Sequence, residues 1–90
     1  MSDSWRIEIS SQARRDLRRL PSKIATAVIE FVTGALAEDP VRLSKPLHSV
    51  SAGYRSARRG DYRVLFRIDE AAGTVLIVRI DHRSHAYRAP

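Results

Sequence analysis

"YRSARRGDYRVLFR", residues 54 to 67, decides how the rest of the chain reads. It carries five arginines in fourteen positions around Gly60-Asp61, and the residues after that pair run into a strand-like apolar stretch. A two-residue loop with glycine at its first central position suits a tight β-hairpin. Counting outward from it pairs Arg59 with Tyr62, Arg58 with Arg63, Ala57 with Val64, Ser56 with Leu65, Arg55 with Phe66 and Tyr54 with Arg67. Directly opposed residues share a face of the sheet. Tyr62, Val64, Phe66 and Ile68 then form an apolar side that should pack on helices, while Tyr54, Ser56, Arg58, Arg63, Leu65 and Arg67 form a polar side rich in guanidinium. This register sends Arg55 to the apolar side, and a bulge after Gly53 would return it to the basic one. Like charges directly opposed, such as Arg58 and Arg63, destabilise a sheet. An anion would relieve that repulsion; the plainer alternative is that the side chains are simply solvated.

Upstream, "WRIEIS" (5–10) alternates Trp5, Ile7 and Ile9 with polar residues, the period-2 pattern of a half-buried strand. In "SSQARRDLRRL" (10–20), serines able to cap a helix precede Ala13, Leu17 and Leu20, a narrow apolar stripe with Arg14, Arg15, Arg18 and Arg19 mostly away from it. Pro21 ends that helix and suits the start of the next, where Ile24, Val28, Phe31, Val32, Ala35 and Leu36 predict a longer amphipathic helix over 22–38. "EDPVRLSKPL" (38–47) has two prolines and little periodicity, so it reads as a crossing loop. "TVLIVRID" (74–81) completes an antiparallel three-strand meander, and "RSHAYRAP" is a short tail, at most one helical turn. The expectation is an α+β fold in the order β-α-α-β-β-β, a single small domain over residues 1–90.

The composition agrees with one soluble core: 43% hydrophobic and 29% charged over 90 residues. There is no cysteine, which excludes disulfides and thiolate zinc sites and fits a reducing cytoplasm. The opening residues show no charged leader before a long apolar core, and no stretch approaches the roughly 20 apolar residues that span a bilayer. A cytoplasmic chain without a membrane partner is expected. Sixteen basic residues against ten acidic ones give +6, and fourteen of the sixteen are arginine. Guanidinium pairs bidentately with phosphate and keeps its charge at physiological pH. Net charge by itself predicts only affinity for polyanions or an acidic protein.

The run "RRGDYRVLFRID", followed after a strand by "DHRSHAYR" and preceded by a strand and two helices, resembles the RelE/ParE superfamily of bacterial toxins. It is most similar to the RelE branch: small basic mRNA endonucleases that act in the ribosomal A site and are silenced by a cognate antitoxin. The resemblance implies a RelE-like fold and an endoribonuclease that needs no cofactor or metal. It implies the ribosome, mRNA and an acidic antitoxin as partners, the last in a hetero-oligomer. By position, Arg63 resembles the arginine that holds the scissile phosphate, Arg83 the one that stabilises transition-state charge, and Tyr87 the tyrosine that positions or stacks on the substrate base. Arg58, Ser56 and Arg55 are the substrate-binding candidates on the preceding strand. Where the best-studied RelE-type enzymes place lysines on that strand, this chain has Tyr54 and Ser56, and Asp81 replaces a glycine usual before "HR". The general base is therefore left open.

Cleavage by a neighbouring 2′-hydroxyl needs in-line positioning, neutralisation of a phosphorane-like dianion, and proton movement at two oxygens. Arginines supply the first two but cannot act as bases near neutrality. Lys23 falls on a helix and Lys45 in the crossing loop, neither obviously on the arginine face. Tyr87, His82 and His85 remain as proton-transfer candidates, with surface or packing roles as the alternative for both histidines and tail-pinning for the tyrosine. His82 and His85 without a third ligand do not make a metal site, and His48 has no constellation around it. The four helix arginines suggest contact with ribosomal RNA or a solvated face. Two other functions stay open: a ParE-like inhibitor of DNA gyrase, and a non-catalytic basic RNA-binding module, which should show stacking aromatics on its sheet.

Overall fold

A computed structural model describes residues 4–47 and 53–82. Its elements in chain order are β1 (Arg6–Ile9), α1 (Ser11–Arg19), α2 (Ser22–Phe31) running into a π-helical stretch (Val32–Leu36), β2 (Ser44–Pro46), β3 (Arg55–Arg59), β4 (Tyr62–Asp69) and β5 (Thr74–His82). The strands form one sheet in the order β1-β5-β4-β3-β2. β1 runs parallel to β5, and every other neighbouring pair is antiparallel.

The local causes are those the residues suggest. Ser10 caps α1, its Oγ accepting the Ala13 N–H at 3.1 Å, and Arg18 and Arg19 in the last turn complement the helix dipole. Pro21 separates the helices, and its carbonyl accepts the N–H groups of Ile24 and Ala25. Val28, Val32 and Leu36, spaced by four, are all buried. An α-helix turns once in about 3.6 residues, so a spacing of four drifts around it. The wider i→i+5 winding of the π stretch drifts the other way. That winding keeps all three side chains aimed at the sheet.

The helices cover one side of the sheet. Among the described residues, Ala13, Val28, Val32, Leu36, Val64, Phe66, Val75, Ile77 and Ile80 belong to one buried cluster, with Ile7, Ile9, Leu17 and Ile68 packed against it. The hairpin register is the predicted one at every pair from Arg59–Tyr62 to Arg55–Phe66, and Gly60 takes the positive φ (61°) that its turn requires. Residues predicted as the apolar side, Val64 and Phe66, are fully buried beneath the helices.

Two features differ from the expectation. The segment read as a crossing loop contains β2, which pairs Ser44 with Ala57, Lys45 with Ser56 and Pro46 with Arg55, so the order of elements gains a strand. Pro46 cannot donate a ladder bond, which is tolerated because β2 is an edge. The second difference is a register shift opposite Leu65/Phe66, where β5 inserts an extra residue: Leu65 faces Arg79 while Phe66 faces Ile77. Ile77 and Ile80, three apart, therefore both reach the core. The predicted tail turn lies outside the described residues.

Candidate functional site

The face of the sheet away from the helices is built in rows. Because opposed residues share a face, Lys45, Ser56, Leu65 and Arg79 make one row across β2, β3, β4 and β5. Arg58, Arg63 and Asp81 make the next. Toward the other end, Arg67, Leu76 and Glu8 line up across β4, β5 and β1, and the Arg67 guanidinium lies 5.5 Å from the centre of the Tyr54 ring. Three of the predicted site residues, Ser56, Arg58 and Arg63, share one cleft of about 480 Å³ whose other walls include Lys45, Arg42 and Leu47. A wider cleft of about 720 Å³ surrounds Tyr54 and Arg67, but Glu8, Asp69 and Glu70 line it. Three carboxylates repel a phosphate, so the smaller cleft is the better anion site.

Lys45, which has no obvious place on the arginine face from sequence, is brought by β2 opposite Ser56 and into the cleft with Arg58 and Arg63. Lysine and proline are residues that edge strands carry, so "SKP" is compatible with this edge although too short to announce it.

Arg55 goes the other way. It shares the helix-side face with Phe66, its Nε donates to Ser44 Oγ at 2.7 Å, and its Nη2 donates to the carbonyls of Val41 and Ser44. It braces the turn before β2, apart from the other predicted substrate-binding residues. His82, a proton-transfer candidate, lies off the arginine face: it is paired with Tyr62 on the helix side, where the two rings meet edge to face at 5.2 Å. Arg83, Tyr87, His85 and His48 lie outside the described residues.

Asp81 enters the cationic rows directly. It is opposite Arg63 on the paired strand, and its Oδ2 lies 3.0 Å from Arg79 Nε. The opposed arginines thus have a carboxylate on their β5 side, which supplies part of the charge balance that an Arg58–Arg63 pair needs. Arg58 Nε also donates to the Gly60 carbonyl at 3.3 Å, which turns that guanidinium toward the hairpin loop.

The outer edge of β5 needs partners beyond the end of β1. Ser10 supplies two, its N–H donating to the Ile77 carbonyl and its Oγ to that of Val78. Asp16 supplies the third, with Oδ2 accepting the Ile80 N–H at 2.9 Å while Oδ1 accepts from Gln12. Helix α1 thereby holds the segment that presents Arg79 and Asp81. Its own arginines, Arg14, Arg15, Arg18 and Arg19, are all exposed.

Comparison with known proteins agrees with this architecture. The family model for the ParE toxin of the type II toxin–antitoxin system parDE matches residues 7–87. Toxin RelG of Mycobacterium tuberculosis is 49% identical over 84 residues, covering 93% of this chain and 97% of the relative. Toxin RelE of the same organism is 50% identical over 90 residues, covering 98% and 93%. Among solved structures, the toxin–antitoxin complex RelBE2 from M. tuberculosis contains a chain that superposes with a TM-score of 0.87 at 48% identity, over 90% of this chain and 93% of that one. A match of that extent to the toxin model, joined to relatives at half identity, places this chain in the RelE/ParE superfamily of toxins from type II toxin–antitoxin systems.

Proposed function

We propose that the chain is a ribosome-dependent endoribonuclease that cleaves mRNA in the A site and so arrests translation. The observation that supports this most directly is the convergence of Arg58, Arg63, Ser56 and Lys45 on one cleft of the sheet. In the reaction a 2′-oxygen bonds to the adjoining phosphorus as the P–O5′ bond breaks. The products are a 2′,3′-cyclic phosphate and a 5′-hydroxyl; one proton leaves the 2′-oxygen for solvent and one arrives at O5′.

Arg63 holds the scissile phosphate and offsets the charge that grows on it, with Arg58 beside it. Arginine does not give up its proton, so the transfer to O5′ falls to another group. Lys45 is the amine in the lining of the cleft and takes that role. Arg83 and Tyr87 keep the roles their positions imply, charge stabilisation and base positioning.

A cognate acidic antitoxin is the proposed partner in the resting state, as a toxin–antitoxin hetero-oligomer in the cytoplasm; the M. tuberculosis relative was itself solved as a toxin–antitoxin complex. Among the described residues no helix is long and apolar enough to cross a membrane. A second reading, poisoning of DNA gyrase, is favoured by the match to a model of ParE toxins. One experiment separates them: purified chain is incubated with mRNA on programmed ribosomes and new 5′ ends are mapped, with a gyrase supercoiling assay run alongside. Cuts inside A-site codons support the nuclease. Inhibited supercoiling without cuts would transfer the assignment to gyrase.

A further inference from the structure

Arg79 plays no part in the reaction as described, yet it stands on the same face. Its Nε is closed off from solvent and makes no hydrogen bond among the described residues, but Asp81 Oδ2 lies 3.0 Å away as an ion pair, with the two side chains 30% and 14% exposed. A largely buried ion pair is a poor device for stability, because the desolvation of both charges offsets their attraction. Orientation is what such a pair does well. The guanidinium is a planar fork of five donors. The Asp81 charge beside Nε holds the guanidinium on this face by attraction, and the two terminal nitrogens can serve a second acceptor.

Register supplies that acceptor's place. Arg79 faces Leu65, and Asp81 faces Arg63, so Arg79 and Arg63 are diagonal neighbours on paired strands. Such positions lie roughly 7–8 Å apart at the backbone. Two long guanidinium arms rooted at that distance on one face can take successive phosphates of a single strand. Asp81 faces Arg63 across the strands and pairs with Arg79 along its own, so it adjoins both cations.

We propose that Arg79, oriented by Asp81, binds the RNA phosphate next to the scissile one and so sets the direction in which the strand crosses the sheet. The inference rests on the RNA-cleaving reading above. Arg79 is the binding residue and Asp81 the positioning residue. Lys45 and Ser56, in the Arg79 row, lie along the same track.

The test measures binding of the full chain to a labelled single-stranded RNA across a salt series. Removing one phosphate contact flattens the plot of log K against log salt by about 0.7. Arg79→Ala should show that change with about 10-fold weaker binding. Arg79→Lys and Asp81→Asn should keep the wild-type slope and lose a few-fold in affinity, since the cation remains but the oriented fork does not. An unchanged slope in Arg79→Ala, or an absence of salt-dependent binding by the wild type, overturns the assignment.

A second measurement uses programmed ribosomes carrying mRNA with one neutral methylphosphonate beside the scissile link. Wild type should lose about 10-fold on it, and Arg79→Ala should lose nothing further. Penalties that multiply would show that Arg79 and that phosphate are independent, and would sink the idea. Absence of any cleavage with the slope change intact would remove the nuclease reading while Arg79 stands as an RNA ligand.

Discussion

The carboxylate of Asp16, on the first helix, accepts the backbone N–H of Ile80 at 2.9 Å across 64 positions of sequence. Asp16 is buried, and the bond falls where β5 has left its neighbour β1 and carries the extra residue of a bulge. Together with the two bonds from Ser10, this side chain ties down the segment that carries Arg79 and Asp81.

Replacing Asp16 by alanine removes an acceptor bearing charge and strands a buried N–H. The expected cost is about 2 kcal/mol, which lowers the melting temperature by roughly 10 °C in a domain of this size. Thermal unfolding followed by circular dichroism measures it. An unchanged melting temperature would mean that water replaces the carboxylate at no loss.

Arg63→Ala should reduce cleavage on programmed ribosomes by roughly 10²-fold or more, because the group acts on charge that develops in the transition state. Its melting temperature should stay within a few degrees of wild type, since Arg63 stands on the face of the sheet away from the buried cluster. Extensive unfolding of the variant would return Arg63 to a structural role. The same outcome is expected for Arg83→Ala.

Lys45 is exposed on an edge strand, so its substitution should leave the fold intact. Lys45→Ala should slow single-turnover cleavage by roughly 10²-fold, the lower range for proton transfer. Lys45→Arg keeps the charge but not the transferable proton, and should remain slow. Full activity in the arginine variant would reduce Lys45 to a phosphate contact.

For Arg55 the expectation is reversed. Its bonds to Ser44 Oγ and to the Val41 and Ser44 carbonyls brace the turn that leads into β2. Arg55→Ala should destabilise by about 1–2 kcal/mol. Cleavage per folded molecule should change less than in Lys45→Ala; an equal loss of activity without loss of stability would place Arg55 on the substrate.

The exposed arginines of α1 stand on another surface. Arg15→Glu combined with Arg19→Glu should weaken association with ribosomes and flatten its salt dependence, as expected if they meet ribosomal RNA phosphates. Sedimentation with ribosomes over a salt series reads both. Association that is unchanged in both respects would mark those arginines as solvated.

Much of this architecture was legible in the residues themselves, for a reason that lies in short-range geometry. Gly60-Asp61 sets the hairpin register by counting, and a strand's period of two then assigns every following side chain to a face. Ser10 and Pro21 likewise bound α1 through local capping and backbone restriction, which need no distant partner. The relation of Arg58, Arg63 and Ser56 follows from those rules alone, and the structure places them in one cleft.

What stayed hidden depends on groups far apart in sequence. "SKP" is too short to announce a strand, and becomes one because β3 offers it an unpaired edge; only then does Lys45 join the arginines. The bulge in β5 shows in tertiary pairing and in the reach of Asp16. It decides that Arg79 and Asp81 share a face with Arg63. Local propensity acts over a few residues, whereas a sheet edge, a bulge and a buried carboxylate are settled by which remote chain segment leaves a hydrogen-bonding group unsatisfied. Short-range rules therefore specify the hairpin, its two faces and the cations on one of them, whereas long-range pairing selects the lysine and the counterion that complete that face.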